Sequence, residues 1–214
     1  PEVVKVAMRA GKRVIAAAPG NPPVVVDETA DLPAAVKHII FGAAFDNNLL
    51  CIGDKEVFVV EAVADEFLAV MRRAGAVQLD PDQIERLTRA AFVPDKRSGE
   101  LHVNREFVGR SAAVLGRAAG LAVAPNVDLL FGETKEDHVF VREEQMMPFL
   151  PVVRVRDVDA AIAAALRAEQ GYRHSALIHT RNDETARRMA RIMGTTLFSR
   201  NAPCTAALGV DDPG

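Results

Sequence analysis

Residues 24–60 read VVVDETADLPAAVKHIIFGAAFDNNLLCIGDKEVFVV. The stretch opens on an apolar run, Val24 to Val26, and closes on a second, Val57 to Val60, rich in β-branched residues. Between them, Asp31 is placed to cap a helix running to about Phe45, with Pro33 in its first turn. A polar loop from Asp46 to Asp54 follows, and it carries Cys51. Strand, helix, loop and strand in that order form a βαβ unit. Neither strand alternates apolar with polar residues, so both faces are expected to be covered.

The same alternation continues outward. Strands are expected at Leu129 to Phe131, Val139 to Val141, Val152 to Val155, Ala176 to Ile178 and Thr196 to Phe198. Helices are expected at Val63 to Ala74, Asp82 to Ala91, Asn104 to Gly120 (with Gly116 as an interruption), Val158 to Glu169 and Glu184 to Met193. Pro94 to Glu100 reads as a charged loop. Towards the start, Glu2 to Arg9 reads as a short helix, Arg13 to Ala17 as a buried strand and Pro19 to Pro23 as a rigid turn. The fold class is α/β: one three-layer domain with a mainly parallel sheet, and no internal repeat or linker.

Composition narrows the function. The 214 residues are 49% hydrophobic and 26% charged, the balance of a globular protein and not of a disordered one. A net charge of -3 offers no basic excess for nucleic acid or an anionic membrane surface. Two cysteines make no disulfide framework, so a reducing compartment is the default. Trp is absent and Tyr occurs once, which argues against stacking platforms for bases or sugars. No apolar run reaches bilayer length.

Familiar motifs are missing or misplaced. The glycines never fall at the dinucleotide-binding spacing, and Gly11-Lys12 lacks the glycine of a P-loop. Gly109-Arg110-Ser111-Ala112-Ala113 grazes a nucleophile elbow without a strand before it. The five histidines are scattered, so no metal site is expected. What remains is Cys51. Asn47, Asn48 and Gly53 make a turn around it that suits an exposed thiolate, although a loop cysteine is more often inert.

Several stretches carry a resemblance. Ile15 to Asp27, Phe45 to Glu56, Glu143 to Val152 and Ser199 to Pro203 occur in the order seen in the aldehyde dehydrogenase superfamily. Within it the chain most resembles the CoA-acylating acetaldehyde and propionaldehyde dehydrogenases. The resemblance implies that Cys51 is the nucleophile, with Asn48 and the Cys51 backbone N–H supporting the oxyanion and the loop, and with an Asn side chain from the amino-terminal half as a further oxyanion donor. It implies that Glu144 bonds the ribose next to nicotinamide; without it, Glu143 and Glu144 are a solvated acidic pair. Met146 and Met147 stand where relatives carry an aromatic residue and a glycine. NAD and coenzyme A are the implied cofactor and acyl acceptor, and a short aldehyde the implied substrate. Metal is not implied.

One departure within the family is informative. Hydrolytic members carry a general-base glutamate in the turn before the nucleophile, where this chain has Ala17. An alanine activates no water, whereas a thiol ionises unaided far more readily. Cys204 reads as a packed thiol, and Arg187, Arg188 and Arg191 as a solvated helix face instead of a phosphate patch for CoA.

The resemblance further implies that residues 1–214 are the catalytic, nucleophile-bearing domain and that the amino-terminal NAD-binding domain is absent from this chain. Little activity is expected from the chain alone. A homo-oligomer, a cytoplasmic location, and enclosure in a bacterial microcompartment with its shell or lumen enzymes are implied in the same way. Two readings stay open beside this one: a hydrolytic aldehyde dehydrogenase, and a non-catalytic scaffold module with the same fold.

Overall fold

A computed structural model describes residues 6, 9–13, 19–95 and 99–209. The helix expected over Glu2 to Arg9 and the strand expected over Arg13 to Ala17 lie, for most of their length, outside the described residues. Ala17 is among those outside.

Seven parallel strands form one sheet. They are β1 (Pro23–Val26), β2 (Glu56–Val60), β3 (Val77–Gln78), β6 (Leu130–Glu133), β7 (Phe149–Val155), β8 (Ser175–His179) and β9 (Leu197–Arg200). Their order across the sheet is β3-β6-β7-β2-β1-β8-β9. The apolar runs of β1 and β2 thus fall in the middle, where both faces are covered.

Successive side chains leave the strands on opposite faces. Val24, Val26, Val57 and Val59 pack under helices α1 (Leu32–Ala44) and α2 (Glu61–Arg73). Val25, Phe58 and Val153 pack under α6 (Val158–Ala168) and α7 (Asp183–Met193). That gives the three layers expected. A third cluster joins α3 (Pro81–Ala91) and α4 (Ala112–Ala119) to Leu130, Phe140 and Phe149. Helix starts follow local chemistry. Asp31 caps α1, Asp157 caps α6 and Asn182 caps α7, and Asp80 with Gln83 completes a capping box on α3.

Three local expectations need correction. Val139 to Val141 is not a strand but part of a one-turn helix, α5 (Val139–Arg142), capped by His138. A run of three apolar residues has no period to separate the two. Asn104 to Gly120 is helical only over α4. Asn104 accepts from the Glu106 backbone in an Asx turn, and Gly109 adopts a left-handed φ of 68°. Gly116 lies inside α4 without interrupting it. The expected loop from Pro94 to Glu100 is flanked by two strands not expected, β4 (Phe92–Pro94) and β5 (Leu101–Val103), which pair antiparallel.

Candidate functional site

The site forms where four segments enter parallel strands. Residues 45–55 lead into β2, residues 143–148 into β7, Gly20 and Asn21 into β1, and residues 169–174 into β8. All four lie at the amino ends of neighbouring strands, since the order there is β7-β2-β1-β8. Ligands of open parallel sheets more often bind at the carboxyl ends.

The Cys51 loop starts as α1 ends. Asp46, Asn47 and Asn48 follow with φ of 48°, 52° and 63°, three left-handed residues in a row. Asn and Asp tolerate that region best among residues with a Cβ. Leu49 N–H bonds the Asp46 carbonyl at 3.2 Å and Gly53 N–H bonds the Leu50 carbonyl at 3.0 Å, so the chain turns twice. Cys51 sits on the second turn and is exposed. Asn48 is buried, and its Nδ2 donates to the carbonyls of Ala43 at 2.8 Å and Asp54 at 2.9 Å. Both amide hydrogens are thereby used, which makes Asn48 a support of the loop and not an oxyanion donor.

Three ionisable residues with no solvent exposure follow Cys51 closely: Asp54, Lys55 and Glu56. The Asp54 carboxyl presses on Gly42, where a Cβ would come within 2.9 Å of it. Burial pushes Asp54 up to about 8, against the pull of Lys55 beside it. Burial pulls Lys55 down to about 8, opposed by the charges of Glu144, Glu56 and Cys51. Glu56 is raised well above the usual carboxylate range by burial. Asn21 donates to Glu56 Oε1 at 3.4 Å and to the carbonyls of Val141 at 2.9 Å and Ala168 at 3.0 Å, joining β1 to the ends of α5 and α6.

Glu144 is half-buried on the same edge. Burial raises its carboxyl, while Lys55 and the Gly20 backbone lower it. Its neighbour Gln145 is buried and donates to the carbonyls of Lys55 at 2.9 Å and Phe149 at 3.2 Å. Met146 takes a left-handed φ of 49°, and Met147 is packed in the core. A half-buried carboxylate that accepts two hydroxyls suits a ribose.

His174 was not singled out by sequence reasoning. A Cβ built on Gly20 would stand 2.6 Å from the Cys51 carbonyl oxygen and 3.1 Å from the His174 ring. Gly20 therefore lets the β1 entry, the cysteine turn and the histidine close on one small space. His174 Nδ1 pairs with Ser175 Oγ at 2.8 Å, its backbone N–H bonds Glu169 Oε1 at 3.0 Å, and burial lowers its pKa. The only signal in the sequence was a histidine just before a buried strand.

The structure does not bring Cys204 into this exposed space. It is buried, its Sγ faces the Gly42 carbonyl at 3.9 Å, and burial pushes the thiol up. Arg187 pairs with Asp183 at 3.6 Å, and Arg188 pairs with Asp159. Among the described residues no group of three or more His, Cys, Asp or Glu is arranged to hold a metal, and no helix is long and apolar enough to cross a membrane.

Comparison with known proteins agrees with this geometry. The aldehyde dehydrogenase family model matches residues 2–210. The acetaldehyde dehydrogenase (acetylating) EutE of Salmonella typhimurium is 46% identical over 203 residues, covering 95% of this chain and 44% of that one. A propionaldehyde dehydrogenase from the fucose utilisation microcompartment of Clostridium phytofermentans superposes with a TM-score of 0.92 at 39% identity, over 100% of this chain and 48% of that one. The Rhodopseudomonas palustris propionaldehyde dehydrogenase, solved with CoA and an acylated cysteine, gives a TM-score of 0.92 at 36% identity, again over 100% and 48%. This chain thus spans less than half the length of these relatives.

Proposed function

This chain belongs to the aldehyde dehydrogenase family, and from that premise we propose that it carries the nucleophile of a CoA-acylating dehydrogenase of acetaldehyde or propionaldehyde. One observation carries the reading. Gly20 stands against the carbonyl of the exposed Cys51 and the His174 ring and bonds the half-buried Glu144, while the other described cysteine is buried in the core.

The Cys51 thiolate adds to the aldehyde carbon, forming a C–S bond. A nicotinamide cofactor would supply the acceptor for the hydride lost from this carbon. The aldehyde is oxidised to a thioester on Cys51. CoA attacks that thioester through its sulfur, the acyl group leaves on CoA, and Cys51 is freed. Glu144 would hold the nicotinamide ribose through its two oxygens. His174, kept neutral by burial, would take the proton of the CoA thiol. The backbone N–H of Cys51 would face the developing oxyanion. The alanine at position 17 favours thiol over water as acyl acceptor.

In this proposal residues 1–214 are the nucleophile-bearing domain, and residues outside them supply the nicotinamide-binding domain. Association of copies into a homo-oligomer, and enclosure in a microcompartment like that of the Clostridium relative, belong to the same proposal. NAD is the proposed cofactor.

The test is NADH formation from propionaldehyde by the full-length protein, with and without CoA, beside Cys51→Ala. CoA-dependent turnover lost in Cys51→Ala is expected. Equal turnover without CoA would overturn the acyl-acceptor assignment.

A further inference from the structure

Because the site lies at the amino ends of the strands, the helices beside it arrive carboxyl end first. α1 runs straight into Phe45–Asn48, α5 into Glu143, and α6 into Glu169. A helix carboxyl end carries about half a negative charge. Glu144 and Glu169 add carboxyl groups to the same region. A thiol that is to ionise beside helix carboxyl ends is helped by a fixed cation.

Lys55 is placed to be that cation. It is fully buried, and its Nζ donates to the Asn48 backbone carbonyl at 2.8 Å and to Asn48 Oδ1. Asn48 is the last of the three left-handed residues. Each such residue costs roughly 1 kcal/mol, so the turn holds its shape only while its surroundings impose it. The lysine imposes it from below. Its own carbonyl accepts from Gln145, which follows Glu144. One residue thereby ties the nucleophile turn, through its side chain, to the Glu144 segment, through its backbone.

We propose that Lys55 is a positioning residue for Cys51: its buried ammonium grips both oxygens of Asn48, fixes the left-handed turn that presents the thiol, and supplies the positive charge opposite it. The proposal rests on the reading of Cys51 as nucleophile.

The test is alkylation by iodoacetamide in the full-length protein, followed at each cysteine by mass spectrometry. Buried Cys204 reports folding, because it reacts only if the core opens. In Lys55→Met, Cys51 is expected to alkylate about tenfold more slowly with Cys204 still protected. Lys55→Arg keeps the charge and several donors and is expected to recover most of the rate, which a purely structural filler would not do. In turnover, kcat falls while KM for the aldehyde stays within about twofold. Asn48→Ser leaves the charge and removes one of its two anchors, and it is expected to lose part of the rate. A folded Lys55→Met or Asn48→Ser protein whose Cys51 reacts at the native rate would overturn the proposal. Should Lys55→Met expose Cys204, Asn48→Ser decides. If Cys51→Ala still oxidises aldehyde, the nucleophile reading fails while any Lys55 effect on alkylation stands, so the two failures are told apart.

Discussion

Asp54 is the residue whose chemistry departs furthest from its appearance in the sequence. Between Gly53 and Lys55 it reads as one more charge in a polar loop, yet it is fully buried and its pKa reaches about 8. The unfolded chain releases this proton near the ordinary carboxylate pKa, while the folded chain keeps it up to about pH 8. The folded state therefore binds more protons in that window, and stability falls as pH rises through it, by up to about 1.4 kcal/mol per pH unit. His179, pulled down to about 3 by burial, works in the opposite sense over a lower window. The difference between the protein and Asp54→Asn isolates the aspartate. Urea unfolding from pH 5 to 8 is expected to show a shallower decline in the variant; equal slopes would mean that Asp54 ionises in the fold. Sequence reasoning reached Cys51, Asn48 and Glu144 because a motif surrounds each. It passed over Lys55, Gln145 and His174, because what sets them apart is burial, and burial of a charge leaves no local pattern to read.

Among the elements, the turn from Asp46 to Asn48 sets three successive residues with a Cβ in the left-handed region, three residues before Cys51. Asn47→Val puts a β-branched side chain at a φ of 52°. A cost of about 1–2 kcal/mol is expected in chemical denaturation, together with slower alkylation of Cys51. No change in either would mean that the turn relaxes freely. Most elements were legible, since caps such as Asp31 and Asp157 and runs such as Val57 to Val60 act locally. The misread ones were short. Val139 to Val141 became a helical turn because His138 caps it and Phe140 finds the α3–α4 cluster. The β4–β5 hairpin was hidden because each strand has three residues and the pair lies on the surface.

At the scale of the whole molecule, the strand order decides which parts are firm. β7, β2 and β1 occupy the centre, and β3, of two residues, and β9 form the rims. Amide hydrogen exchange is expected to be slowest at Val57 to Val59 and Val24 to Val26, and fastest among strand amides at Val77. Fast exchange in β2 would show that the Cys51 loop rests on a loose strand. The α/β class and the layering could be read from apolar runs alone. The order of the strands could not, because it depends on which helices cover which face, a property of contacts far apart in the chain.

The parallel sheet also gives the molecule two unlike rims. Cys51, Lys55, Glu144 and His174 all lie at the amino rim. At the opposite rim, Asp27, Thr29 and Thr180 bond one another, and Asn182 and Asp157 start helices. That far rim does the work of a rivet, holding strands to helices. It is the side on which an inserted peptide, a fluorescent tag or a surface tether stands farthest from the Cys51 turn.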